Sequence, residues 1–283
     1  MADFNFHTHS YFCDGSDEPE EYVKAALDAG FHSLGFSSHA PVPFRNSFAI
    51  ESNDRLIEYC YRIRDLQRKY ADQIKLYLSL EIDFIPGLMP EFSELKEGCS
   101  LDYTVGSVHL VKKEGTDDLW FIDGPKEAVY DEGLRHSFNG DIRQGIKAYY
   151  RQINQMAETQ EPDIIGHIDK VKMHNKGRYF SEDEKWYRDL VDETLDVVSK
   201  GGSIIEVNTR GVYKKRSDSL FPGREVLKKI RALKIPITIS SDAHKPGELN
   251  GYYPEAKKLL KEIGFKELMV FNGEGWTPEA LYL

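Results

Sequence analysis

The chain has 283 residues, 40% of them hydrophobic and 30% charged, with a formal net charge of −10. No apolar run approaches the ~18 residues of a membrane span, and the acidic surplus argues against a nucleic-acid backbone as partner. Three scattered cysteines, Cys13, Cys60 and Cys99, make no disulfide framework. Together with an N-terminus lacking a basic-then-apolar leader, they lead us to expect a cytoplasmic protein.

Strand-like and helix-like segments alternate along the chain. Asp3–Phe6 reads as a strand, followed by His7-Thr8-His9 and then Asp14-Gly15. Glu18–Ala29 reads as a helix, opened by Ser16 or Asp17 with an acidic first turn and closed by Gly30. Ser33–Phe36 is the second strand, and His39 ends its run. Asn53–Ala71 has helical periodicity through Leu56, Ile57, Cys60, Ile63 and Leu66. Lys75–Leu80 is the third strand, ending at Glu81, and Leu101–Val105 the fourth, with His109 just beyond. The stretch from Val111 to Gly140 resembles an insertion or lid with a short hairpin around Trp120-Phe121-Ile122. Asp141–Glu158 is a long helix, Asp163–Ile165 the fifth strand, ending at His167, and Glu182–Lys200 another helix. Ser203–Val207 is the sixth strand. Pro222 starts a helix, a favoured first-turn position. Ile235–Ser240 is the seventh strand, leading to Asp242 and His244. Pro254–Ile263 is a helix and Glu267–Phe271 an eighth strand-like run.

This alternation means a parallel sheet with crossover helices. An open doubly wound sheet and a closed barrel share the pattern. The residues at the strand ends decide between them. Metal-ligand types stand at the C-terminal ends of strands one to five and seven, and only a barrel mouth gathers so many strand ends into one ring.

Each candidate has a plainer reading. His-x-His alone is as compatible with a surface pair, although residues i and i+2 of a strand share a face. Asp14 before Gly15 is a common turn carboxylate, and His39 fits a satisfied buried histidine. Glu81 after Leu78-Ser79-Leu80 is costly to bury unless paired or metal-bound. Asp242 and His244 mirror His7 and His9. Taken jointly, His7, His9, Asp14, His39, Glu81, His109, His167, Asp242 and His244 imply a polynuclear metal site. Arg210 follows the sixth strand, which offers no obvious ligand. It is either a substrate-phosphate clamp or a surface salt-bridge residue. His32 and His136 read as surface residues, His174 is left open, and Cys13 does not read as a ligand.

These residues resemble the polymerase and histidinol phosphatase (PHP) family of metallohydrolases over essentially the whole chain. His7-Thr8-His9, Glu81, Gly106-Ser107-Val108-His109 and Asp242-Ala243-His244 match its motifs. His39 in Ser-Ser-His-Ala-Pro and His167 in Gly-His-Ile-Asp match further ligand positions. Length and the Glu-Val-Asn-Thr-Arg segment resemble its stand-alone histidinol-phosphate phosphatase branch. The resemblance implies an α/β fold, a distorted (β/α)7 barrel forming one domain over 1–283, and two to three divalent transition-metal ions. His7, His9, Glu81 and Asp242 would hold the first ion. Glu81, His109 and His167 would hold the second, and Asp14, His39 and His244 the third. Asp14 stands where some members carry histidine. The donor types suit zinc, iron or manganese.

The expected activity is hydrolysis of a small phosphate ester, L-histidinol phosphate, by metal-activated hydroxide, with no nucleic-acid or membrane partner. Arg210 would contact the phosphoryl group, and a metal-polarised water or Asp242 would protonate the leaving group. The rival expectations are a phosphoesterase for a nucleotide or sugar phosphate, and a non-catalytic metal-binding regulator. Oligomeric state is not legible.

Overall fold

The structure, a computed structural model, describes residues 3–282. Met1, Ala2 and Leu283, at the ends of the expected domain, lie outside the described residues. In chain order come β1 (Phe4–Asn5), α1 (Pro19–Asp28), β2 (Ser33–His39), α2 (Asn53–Lys69), β3 (Lys75–Asp83) and α3 (Phe92–Gly98). Next are β4 (Tyr103–Ser107), β5 (Leu110–Lys112), β6 (Leu119–Phe121), α4 (Glu127–Phe138), α5 (Ile142–Thr159) and β7 (Ile164–Ile165). The rest are α6 (Lys185–Lys200), β8 (Ile204–Asn208), α7 (Arg210–Tyr213), α8 (Arg224–Leu233), β9 (Ile237–Ser240), α9 (Tyr253–Ile263), β10 (Glu267–Phe271) and β11 (Trp276–Ala280).

Seven strands form one parallel sheet in the order β1-β2-β3-β4-β7-β8-β9. Its edges meet, because Thr8 bridges Ala243 and His9 N donates to Ala243 O at 2.8 Å. The sheet therefore closes into the distorted seven-stranded α/β barrel that the strand ends imply. The strands read as continuous apolar runs because helices cover their outer face. α5 shows how the cover is made. Asp141 caps it by accepting from Gln144 N at 3.1 Å, and Ile146, Tyr149, Ile153 and Met156 form a buried stripe at helical spacing. Ser52 caps α2 in the same way through Arg55 N.

The inner row of the barrel changes character from bottom to top. At the bottom, Phe6, Tyr77, Tyr103, Phe271 and Trp276 interlock in edge-to-face and tilted pairs, with ring centroids 4.9–6.1 Å apart. Tyr103 reaches across the barrel to donate to Phe6 O at 2.6 Å. Its hydroxyl fills the space beside Gly35, where a Cβ would stand 1.9 Å from Tyr103 Oη. Only glycine fits there. At the top the same strands carry ionisable groups.

Several expectations need correcting. Glu267–Phe271 is a strand but not a barrel strand. β10 pairs antiparallel with β11, turning at Asn272–Gly275, and the hairpin brings Trp276 against Phe6 to plug the barrel floor. β1 ends at Asn5, and a bend at Phe6 puts His7 and His9 beyond the regular strand. The hairpin around Trp120 exists as β5 and β6. The helix after it, α4, was not expected. Gly133 and His136 are weak helix formers, but α4 buries Tyr130 and Leu134, and Gly133 lies close against Trp120. Pro222 precedes α8 instead of starting it, because Gly223 is the cap and its N–H is held by Asp169 Oδ2 at 3.0 Å. α3 and α7 are too short to show periodicity. All three cysteines are free thiols, and among the described residues no helix is long and apolar enough to cross a membrane.

Candidate metal centre

Strand register delivers the ionisable residues to one place. His39 and Glu81 are paired neighbours on β2 and β3, and Asp83 pairs with Ser107 at the end of β4. Side chains two apart on a strand share a face, so Glu81 and Asp83 both point inward. All nine candidate ligands gather at the C-terminal mouth. His7, His9 and Asp242 form one cluster, Glu81, His109 and His167 a second, and His9, Asp14, His39 and His244 a third, with donor atoms in each within 4.8 Å of one another.

Glu81 lies between these groups. Its Oε2 is 3.1 Å from His7 Nε2, 3.1 Å from His39 Nδ1 and 3.4 Å from His9 Nε2. Its Oε1 is 3.0 Å from His167 Nε2 and 3.5 Å from His109 Nε2, and accepts from Ser107 at 2.6 Å. One carboxylate oxygen thus faces each half of the site. Asp242 Oδ1 is 3.3 Å from His9 Nε2, and Asp14 Oδ1 is 3.2 Å from His244 Nε2. Asp242 and His167 sit at φ of +51° and +24°, two of the nine non-glycine residues with positive φ among the described residues, so two of the candidate ligands are held on strained backbone.

The donors fit divalent ions. His7 Nε2, His9 Nε2 and His39 Nδ1 are buried and make no hydrogen bond. Such atoms are rare and costly, and a cation satisfies them together with the carboxylates. The opposite ring nitrogens of two histidines are held from behind. His7 Nδ1 meets Glu206 Oε1 at 2.6 Å, and His109 Nδ1 meets Asp83 Oδ1 at 3.0 Å. Carboxylate partners of this kind orient imidazole ligands and raise their basicity.

Charge balance follows from the same contacts. Burial works against a charge on His7, but Glu206, Glu81 and Asp242 outweigh it and hold the imidazole well above its usual value. Burial, then the neighbouring His244, brings His9 down to about 4. Burial opposes the ionised form of Asp242 too, yet His7, Lys170 and Arg210 keep its carboxyl well below the usual range. Cys13 Sγ is 3.4 Å from His9 Nδ1, but burial pushes its thiol up to about 12, so it stays protonated.

Arg210 reaches the mouth from α7 and lines a cavity of about 250 Å³ beside Asp14, Glu81 and Asp242. Its Nη1 donates to Asp242 O at 2.8 Å and lies 3.4 Å from Glu248 Oε2. His136 is exposed and His32 half-buried. His174 is buried, bound to Gly124 O at 2.8 Å away from the clusters. Four residues here escaped the sequence reading. Asp83 was legible as the i+2 neighbour of Glu81. Glu206 sat in a strand judged free of ligands, although it faces inward to His7. Asp123, in the insertion, and Lys170, in a single 3₁₀ turn, have no periodic pattern to reveal them. Lys170 Nζ lies 2.9 Å from Asp123 Oδ2 and 3.8 Å from Asp242 Oδ2.

Known proteins resemble this chain. The profile of the PHP domain matches residues 5–210. The histidinol-phosphatase of Bacillus subtilis is 28% identical over 266 residues, covering 88% of this chain and 96% of that protein. The probable histidinol-phosphatase of Deinococcus radiodurans is 29% identical over 260 residues, covering 91% and 92%. A crystal structure of histidinol phosphate phosphatase from Lactococcus lactis, complexed with zinc, L-histidinol and phosphate, superposes with a TM-score of 0.69. It is 22% identical and covers 97% of this chain and 98% of its own, a likeness of fold.

Proposed function

The chain belongs to the PHP domain family, and from that premise we propose that it is a metal-dependent phosphomonoesterase converting L-histidinol phosphate and water to L-histidinol and phosphate, a step of histidine biosynthesis. The observation that carries this reading is the gathering of nine ligand-type side chains at the barrel mouth, six of which line one small cavity. Full-length similarity to histidinol-phosphatases supports the substrate. The chain works as one barrel domain, with 111–140 an insertion that supplies part of the cavity wall.

His7, His9, Glu81 and Asp242 would hold one ion, Glu81, His109 and His167 a second, and Asp14, His39 and His244 a third. The mixed imidazole and carboxylate set suits zinc, iron or manganese. When bound, such ions polarise phosphoryl oxygens and lower the pKa of a water. The chain's own groups do the rest. Glu206 and Asp83 keep His7 and His109 oriented toward the centre. Lys170 and Arg210 place cations on the wall and draw in the phosphate dianion. Asp242, held ionised, serves as a ligand and not as the proton donor. In the reaction water gives up a proton to solvent as its oxygen adds to phosphorus, the ester P–O bond breaks, and the departing alkoxide takes up a proton from solvent.

The test is phosphate release from a panel of esters, with elemental analysis of the purified protein. L-Histidinol phosphate should give the highest kcat/KM, chelation should abolish turnover, and zinc, manganese or iron should restore part of it. Active protein free of transition metal would sink the proposal. A clear preference for a nucleotide or sugar phosphate would replace the substrate.

A further inference from the structure

Four carboxylates line the cavity, Asp14, Glu81, Asp123 and Asp242. The proposed ions use three of them, and Asp123 is left over. It follows β6, within the insertion, and stands beside Phe121 and Gly124 on the wall. Its Oδ2 is already neutralised by Lys170 Nζ at 2.9 Å and lies 3.7 Å from His109 Nε2. Its Oδ1 is buried and has no hydrogen-bond partner among the described residues. Asp123 belongs to none of the clusters whose donor atoms lie within 4.8 Å of one another. A buried carboxylate oxygen without a donor carries a desolvation penalty that a bound donor would relieve. Close by, Phe48 and Phe121 also line the cavity and stack with centroids 5.7 Å apart at 21°.

We infer that Asp123 determines specificity by binding a protonated amine that the substrate carries next to its phosphate ester. The inference rests on the phosphomonoesterase reading and deepens it. An aliphatic ammonium has three N–H donors and no acceptor, and its bond to a carboxylate is charge-assisted. L-Histidinol phosphate carries its ammonium on the carbon adjacent to the one bearing the ester oxygen. With the phosphate at the ion clusters and at Lys170, that ammonium falls toward the wall Asp123 occupies, and the flat imidazole is left to Phe48 and Phe121. The cavity of about 250 Å³ lies just below the ~300–1,000 Å³ common for small-molecule sites, so the substrate's groups have few other places to go.

The experiment compares wild type, Asp123→Asn and Asp123→Glu on two esters. One is L-histidinol phosphate, and the other is the imidazolylpropyl phosphate that lacks only the amino group. Elemental analysis of each protein accompanies kcat/KM, and calorimetry gives Kd for L-histidinol. The wild type should favour the aminated ester. In Asp123→Asn the ratio of kcat/KM values should fall by about 10–10²-fold, the worth of one charge-assisted bond. L-Histidinol should bind correspondingly less well, and Asp123→Glu should restore part of the ratio. An unchanged ratio overturns the inference. Equal loss on both esters with loss of metal makes Asp123 a ligand, and equal loss with metal retained makes it only the anchor of Lys170. Phosphoethanolamine against ethyl phosphate reads the same ratio where histidinol phosphate proves not to be the substrate. A wild type without amine preference in either pair also overturns the inference.

Discussion

The floor and the mouth of this barrel are built by the same strands. β2 carries Gly35 and then His39, β3 carries Tyr77 and then Glu81, and β4 carries Tyr103 and then Ser107, each pair on one face of its strand. At the floor these positions are glycine or tyrosine, and the Tyr103 hydroxyl is bound to Phe6 O. At the mouth they are His39, Glu81 and Ser107, and several buried imidazole nitrogens there have no hydrogen-bond partner. The floor is held by aromatic packing, with Trp276 Nε1 an unpartnered polar atom, whereas the mouth gathers imidazoles and carboxylates that cations would satisfy. Stability and chemistry should therefore separate along the barrel axis, and variants at the two ends should fail in different ways.

Glu81→Gln breaks the mouth most severely. A neutral amide is a poor bridge between two ions, so metal content should fall and kcat with it, on the order of 10³-fold. The fold should survive, since floor packing does not involve this group. Elemental analysis, kcat and a melting curve check all three points. Near-normal turnover with full metal content would remove Glu81 from the centre.

Arg210→Ala separates substrate binding from metal binding within the mouth. Loss of a charge-assisted contact to the phosphoryl group should lower kcat by roughly 10²–10³-fold, with metal content unchanged. Arg210→Lys should recover only part, because an ammonium lacks the planar fork. Weaker inhibition by inorganic phosphate should accompany the alanine variant. If kcat, KM and phosphate Ki all stay within about threefold, roughly 0.7 kcal/mol, the Asp242 and Glu248 contacts of Arg210 are its whole role.

Gly35→Ala is the converse change at the floor. A methyl group there collides with the Tyr103 hydroxyl, and overpacking of this kind costs about 1–3 kcal/mol. Denaturant unfolding should show the loss, while kcat and metal content of the folded fraction stay at wild-type values. A loss of metal in this variant would mean that the two ends are mechanically coupled.

The smallest effect belongs to the outer helices. Lys69, the Tyr70 hydroxyl and Arg62 surround Glu20 and pull its carboxyl from 4.5 to about 2. Because the folded value is the lower one, the stabilisation is present above pH 4.5 and fades as pH falls toward 2. Solvent screening limits it to about 0.5–1 kcal/mol. Glu20→Gln should lose that increment at pH 7 and only a small part of it at pH 2, measured by urea midpoint. An undiminished difference at pH 2 would assign the loss to packing.

How much of this was readable in the residues varies from place to place. His7, His9, Glu81, His109, His167, Asp242 and His244 stand at ends of apolar runs, and a ligand type at a strand end is a local pattern. Asp83 has the same pattern, two residues after Glu81 on the same face of β3. Asp123 and Lys170 were out of reach. One lies past a hairpin in an insertion and the other in a 3₁₀ turn, and they meet only because β6 and the segment after β7 come together above the mouth. α4 was equally hidden, since it depends on Trp120 for its packing and not on helix propensity.

By itself, then, the sequence determined the alternation of strand and helix and the residue types at the strand ends. Both depend on hydrophobic periodicity and on where a buried charge can be tolerated, which are properties of short windows. Tertiary structure alone decided that the eighth strand-like run would leave the barrel and plug its floor. It also decided which carboxylate stands behind which imidazole, and that Asp123 keeps an unpartnered oxygen on the cavity wall. Those outcomes depend on contacts between residues distant in the chain, where direction and distance are set by how the barrel closes.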